Sequence, residues 1–129
     1  MYHKAIVIDD SLLERFLAER IIKNSLFAKE VMTFNSPIDA LGYLKTFDSN
    51  TDKLPDVIFL DIHMPVMNGF DFLNKFLELP GDKKKHCKIL MFSSSDAYED
   101  HVRMRRYPII RKFLTKPLSE EMLINLGPL

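Results

Sequence analysis

Val57-Ile58-Phe59-Leu60-Asp61-Ile62-His63-Met64-Pro65 decides how the rest of the chain is read. Four apolar residues in succession, with no polar alternation, suit a strand buried on both faces. The run stops at an aspartate, and a loop containing Pro65 and leading to Gly69 follows. Two other stretches have the same form. Ala5-Ile6-Val7-Ile8 runs into Asp9-Asp10-Ser11, and Ile89-Leu90-Met91-Phe92 runs into Ser93-Ser94. A weaker run, Ile109 to Leu114, is broken by Arg111 and Lys112 and leads to Thr115-Lys116-Pro117. A further strand is expected around Lys29 to Phe34.

Amphipathic segments separate these runs. Ser11 with Glu14 three residues on forms a capping box, and Leu13, Phe16, Leu17 and Ile21 are the expected inward stripe of the first helix. Ser36-Pro37 opens the second helix as a cap followed by proline in the first turn, with Ala40, Leu41, Leu44 and Phe47 inward. Residues 48–53 read as loop. Gly69 opens the third helix, with Phe70, Leu73, Phe76 and Leu77 inward and Pro80-Gly81 as its end. Lys83-Lys84-Lys85-His86 reads as a solvated loop in preference to an anion patch. Ser95 or Asp96 is expected to cap a fourth helix reaching about Arg105. Ser119 caps a short last helix with Met122, Leu123 and Leu126.

Strand and helix therefore alternate five times. That pattern means an α/β fold, a doubly wound parallel sheet with right-handed crossovers and helices on both faces. Ligands of such sheets bind beyond the carboxyl ends of the strands, where strand order reverses. Asp9, Asp10, Asp61, Ser93 and Lys116 all fall at that edge.

The 129 residues fit one domain with a substantial core. Eighteen basic and 18 acidic residues cancel, which argues against a generic nucleic-acid or membrane-surface binder. The lone cysteine, Cys87, excludes an internal disulfide and reads as a small core residue. No apolar stretch is long enough to span a bilayer, and the N-terminus lacks a signal-peptide layout. A cytoplasmic protein is the simplest expectation.

Three carboxylates at one sheet edge repel one another unless a cation joins them. Mg²⁺ takes oxygen ligands, retains waters and commonly accompanies phosphate. The expected metal set is Asp10, Asp61 and the backbone carbonyl of His63, with Asp9 acting through water. Phosphoryl transfer depends on positioning and charge neutralisation, and a carboxylate such as Asp61 can take the group as an acyl phosphate. Lys116 brings a point charge to the phosphoryl oxygens and Ser93 a hydroxyl. Taken singly, each has an ordinary explanation: Asp10 as a helix cap, Ser93 as a turn residue, Lys116-Pro117 as a loop. Their joint placement on four strand ends carries the inference. His63 is expected to face solvent at the pocket mouth, and His3, His86 and His101 to be exposed.

With these residues assembled, the chain resembles the receiver domain of two-component response regulators, in particular the single-domain chemotaxis-regulator kind. The likeness runs from Ala5 to Leu126 and rests on Ile8-Asp9-Asp10, Asp61 with Met64-Pro65 and Gly69, Ser93-Ser94, and Lys116-Pro117. It implies a flavodoxin-like five-stranded sheet of order 2-1-3-4-5 with five helices, in one receiver domain spanning 1–129. It implies Asp61 as phosphoacceptor, an acidic Mg²⁺ pocket at Asp9 and Asp10, Ser93 as switch hydroxyl, Phe113 as switch aromatic, and a cis Lys116–Pro117 bond. It further implies a phosphohistidine donor on a sensor kinase or phosphotransfer protein. The output would be a protein target met by the surface of the fourth helix, fifth strand and last helix, with phosphorylation-dependent dimerisation an open alternative. That surface would carry Arg103, Arg105, Arg106, Arg111 and Lys112, which suits an acidic partner. Departures from the family pattern are Arg106-Tyr107-Pro108 before the fifth strand, Ser94 in place of a smaller residue, and the short end Gly127-Pro128-Leu129.

Three other readings compete. An aspartate-based phosphatase needs a second aspartate two residues after the nucleophile, where His63 stands. A nucleotide or flavin binder needs a glycine-rich loop after the first strand, where Asp9-Asp10-Ser11 stands. A degenerate, purely interacting receiver is disfavoured because every pocket residue is present. The expectation is a signalling domain with self-phosphorylation and slow autodephosphorylation, not an enzyme of steady turnover.

Overall fold

In the computed structural model, residues 1–47, 53–94 and 97–129 are described. Five strands alternate with helices: β1 Tyr2–Ile8, α1 Leu12–Asn24, β2 Ala28–Phe34, α2 Pro37–Lys45, β3 Val57–Asp61, α3 Gly69–Phe76, α4 Gly81–His86, β4 Lys88–Ser93, α5 Tyr98–Met104, β5 Ile110–Thr115 and α6 Glu120–Ile124. The strands form one sheet of order β2-β1-β3-β4-β5, and every neighbouring pair is parallel. Order reverses at β1, which lies between β2 and β3.

The period of two along each strand divides the core between the faces. Ile6, Ile8, Ile58, Leu60, Ile89 and Met91 point to one side, where they meet Leu41 and Leu44 of α2 and Phe70, Leu73 and Phe76 of α3. Ala5, Val7, Val57, Phe59, Leu90 and Phe92 point to the other, against Ala18 and Ile22 of α1 and Leu123 of α6. Because both faces are covered, the three central strands are apolar over their inner four residues, which is why they were visible as unbroken runs. Cys87 is buried at the start of β4, and burial pushes its thiol up to about 12, so it is an inert core residue.

Several local expectations are corrected. Six helices are present among the described residues, the extra one being α4 where a solvated loop was expected. Pro80 does not end α3 but stands as the N-cap of α4, and Lys83 is only 4% exposed. The run of lysines hid a turn of helix in which Lys83 is buried while Lys85 stays exposed. In α1 the inward stripe is Ala18 and Ile22, whereas Leu13, Phe16 and Leu17 are 63%, 53% and 37% exposed. Two apolar faces share helical spacing in α1, and the small Ala18 lets one of them approach the sheet closely. In α3, Phe72 is buried and Leu77 lies outward after the helix end. Leu126 is buried but follows α6 rather than lying within it. Of the histidines, only His3 and His63 are exposed. His86 pairs with Asp56 at 3.0 Å, and the His101 ring packs on Phe113. The expected caps Ser95 and Asp96, and most of the 48–53 loop, lie outside the described residues.

The β3–α3 connection is the tightest backbone approach near the sheet edge. Gly69 N–H donates to the Ile62 carbonyl at 2.8 Å. A Cβ on Gly69 would stand 2.4 Å from the Asp61 carbonyl oxygen. That neighbour is main chain at the end of the central strand and cannot swing aside. Gly69→Ala is therefore expected to lower stability by about 1–3 kcal/mol, read as a reduced urea midpoint at unchanged m-value.

Candidate functional site

The carboxyl ends of β1, β3, β4 and β5 bring Asp9, Asp10, Asp61, Ser93 and Lys116 to one edge. One oxygen from each of Asp9, Asp10 and Asp61 lies within 4.8 Å of the others. Lys116 closes the group: its Nζ is 3.2 Å from Asp61 Oδ1 and makes a still closer ion pair with Asp9 Oδ2. The Lys116–Pro117 bond is cis, and the Lys116 N–H donates to the Ser93 carbonyl at 2.9 Å, which ties the β5 end to the β4 end.

Burial differs sharply between the carboxylates. Asp9 is fully buried and Asp61 is 4% exposed, whereas Asp10 is open to solvent. Ser93, at the end of neighbouring β4, is buried as well. Asp9 is held from both sides: Ser11 N–H donates to its Oδ1 at 2.9 Å, and Arg15 Nη1 donates to its carbonyl oxygen at 2.8 Å. Arg15 escaped sequence reading because a basic residue in a helix has no distinguishing local signal.

The electrostatics follow from this packing. Burial, reinforced by the neighbouring Asp9 charge, raises the Asp61 carboxyl to about 6 against the pull of Lys116. Burial alone would push the Lys116 ammonium down, but Asp9 and Asp61 outweigh it and the net direction is up. The pocket therefore carries more negative charge than its one ammonium neutralises. Hard carboxylate oxygens at this spacing, one of them on open Asp10, fit a divalent cation such as Mg²⁺. Asp9, with one oxygen on Lys116 and the other on a backbone N–H, suits a water-mediated contact.

His63 lies at the pocket mouth with its side chain 61% exposed, as expected, but its Nε2–H donates to Asp100 of α5 at 2.9 Å. Phe113 on β5 is half-buried and lies against the His101 ring at 4.6 Å. Beside it, a groove of about 420 Å³ is lined by Met104, Ile110 and Phe113 and by Arg105, Arg111 and Lys112.

Residues 5–126 match the family model of the response regulator receiver domain, and the chain belongs to that family. It is 33% identical over 115 residues to the protein-glutamate methylesterase/protein-glutamine glutaminase of Methylobacillus flagellatus, covering 88% of this chain and 29% of that protein. The Escherichia coli (strain K12) protein of the same name is 31% identical over the same length, with 30% of it covered. The chain thus spans about a third of the length of these curated relatives. Among solved structures, a response regulator receiver protein from Dyadobacter fermentans superposes with a TM-score of 0.83 at 30% identity, covering 98% of this chain and 99% of that one. A two-component response regulator from Cytophaga hutchinsonii gives 0.83 at 25% identity, covering 97% and 93%. The protein is a receiver domain of two-component signal transduction, a signalling domain, on the flavodoxin-like fold. Among the described residues no helix is long and apolar enough to cross a membrane.

A raised carboxyl pKa means that the folded state holds its proton more tightly than the unfolded chain. The stability linked to Asp61 is therefore greatest in acid and falls as pH rises from about 4 through about 6. Asp61→Asn removes that loss. In metal-free buffer the variant is expected to be more stable than the parent above pH 6, by on the order of 2 kcal/mol. The difference should shrink toward zero near pH 4. Thermal melts across this range check both the sign and the window.

Proposed function

We propose that this chain is a phosphoacceptor switch in which Asp61 takes the phosphoryl group. The donor is a phosphohistidine on a sensor histidine kinase or a histidine phosphotransfer protein. An Asp61 carboxylate oxygen bonds to phosphorus, the phosphorus–nitrogen bond breaks, and the imidazole departs. Asp10, Asp61 and the His63 carbonyl, with Asp9 through a water, would hold Mg²⁺, which would supply charge neutralisation between the incoming group and the carboxylates. Lys116 neutralises the phosphoryl oxygens from the opposite side. Ser93 donates its hydroxyl to them, and Phe113 responds as the switch aromatic. The observation that carries this reading is the enclosed Asp9–Lys116–Asp61 arrangement beside open Asp10, in a chain of the receiver family.

Residues 1–129 act as one receiver unit in the cytoplasm, as signalling modules without nucleic-acid or membrane contact. Exposed Leu12, Leu13 and Phe16 begin directly after the acidic loop and offer an apolar face on which the donor can rest beside the pocket. Output passes through the face of α5, β5 and α6. The groove by Phe113 joins apolar depth to exposed Arg105, Arg111 and Lys112, which fits an acidic target in a protein of zero net charge. Slow autodephosphorylation resets the switch.

Incubation with acetyl phosphate and Mg²⁺, followed by intact mass, is expected to show one added phosphoryl group. It should be absent in Asp61→Asn and after chelation. An unmodified parent protein, or undiminished modification of Asp61→Asn, would remove Asp61 from this role. Reversing Arg105, Arg111 and Lys112 to Glu is expected to leave that modification intact. The same variant should weaken binding of the downstream target to the beryllofluoride-treated protein by about tenfold or more.

A further inference from the structure

We propose that His63 physically couples the phosphorylation pocket to helix α5, acting as a positioning residue through Asp100. The signal it would carry rests on the phosphoacceptor reading above; the tether itself does not.

The argument begins with how α5 is held. A surface helix ordinarily docks through an apolar stripe. In α5 the one buried residue is Asp100, a carboxylate 5% exposed in the first turn. A buried charge is tolerated only when paired and hydrogen-bonded. Among the described residues Asp100 pairs with His63, whose Nε2–H donates to Oδ2 at 2.9 Å. The His63 ring is 61% exposed, so packing does not fix it and the bond to Asp100 does. Elsewhere on α5, His101 packs on Phe113 at 4.6 Å, the Arg103 guanidinium lies 4.3 Å over Phe70, and Met104 packs against the core. Seven residues are too few to form a helix unaided. The position of α5 therefore depends on these contacts, and the one made to the helix's buried residue belongs to His63.

The other end of the link is covalent. His63 lies two residues beyond Asp61, in the loop that leaves β3 for α3. One residue thus has its backbone in the pocket wall and its side chain on α5. A change of backbone position at 61–63 on loading the pocket stretches or releases the bond to Asp100. Release deprives a buried carboxylate of that hydrogen bond, and α5 relieves this by moving the group toward water. Such an element has two arrangements that the pocket can bias. This route runs through β3 and α5, beside the one through Ser93 and Phe113. It acts on the groove as well, because Met104 and Arg105 move with α5.

Hydrogen exchange of the amides of Tyr98–Met104 tests the link in the full chain. Without any phosphoryl analogue, His63→Ala should speed exchange of these amides by about tenfold or more, with the β1, β3 and β4 amides unchanged. Asp100→Ala should do the same, and the double variant should add little to either single change, since both remove one interaction. His63→Gln, which keeps a donor near the Nε2 position, should restore protection. With Mg²⁺ and beryllofluoride, the parent should change its α5 exchange, and His63→Ala should lose most of that response. Parental exchange in His63→Ala, additive effects in the double variant, or a full beryllofluoride response without the imidazole would each overturn the proposal. Should acetyl phosphate fail to modify the parent, the phosphoacceptor reading falls instead. The comparison of untreated variants still decides whether His63 holds α5.

Discussion

Lys116 stands between two carboxylates that burial forces together, and the functional edge of the sheet depends on that ammonium. Asp9 is fully buried and Asp61 nearly so, and both lie at the ends of adjacent parallel strands. Without a cation between them their repulsion in a poorly hydrated site would favour parting the strand ends or protonating a carboxyl. Lys116 reaches both from β5, across the width of β4, and its backbone is fixed to Ser93. One ammonium cannot neutralise three carboxylates. The residual negative charge, concentrated near solvent-facing Asp10, suits the pocket to a second cation.

The same economy of charge recurs at the periphery. Asp56 accepts backbone N–H groups of His3 and Lys4 and pairs with His86, tying the start of β1 to the end of α4. Asp100 does the equivalent for α5 through His63. The core strands are held by apolar burial that no single polar group controls, whereas α5 is held by a few directional contacts. A fold of this type can keep its sheet rigid while one helix shifts, because the two are stabilised by different forces. Sheet and helix meet at His63 and Phe113, which lie on either side of the pocket-to-surface path.

The central strands were legible because they are covered on both faces, which leaves an unbroken apolar signature in the sequence. The site residues were legible for a related reason: polar residues directly after such runs stand out. Helix orientation was not legible in α1, where Leu13, Phe16 and Leu17 satisfy helical spacing as well as Ala18 and Ile22 do. Spacing records that a helix has an apolar face, and it cannot rank two of them when the smaller residues win by allowing close approach. α4 was hidden by its lysines, whose charge gave no sign that Lys83 is buried.

The sequence by itself determined the strand–helix alternation, the parallel sheet and the set of residues at its carboxyl edge, since these follow from periodicity and from which residues interrupt it. Tertiary structure alone decided that Asp61 is enclosed, that Lys116 spans Asp9 and Asp61, and that Arg15 and Asp100 have partners at all. Those facts depend on distances between segments far apart in the chain, and local pattern carries no information about such distances. Burial and pairing are properties of the assembled sheet edge, so the charge balance of the pocket exists only once the strands have met.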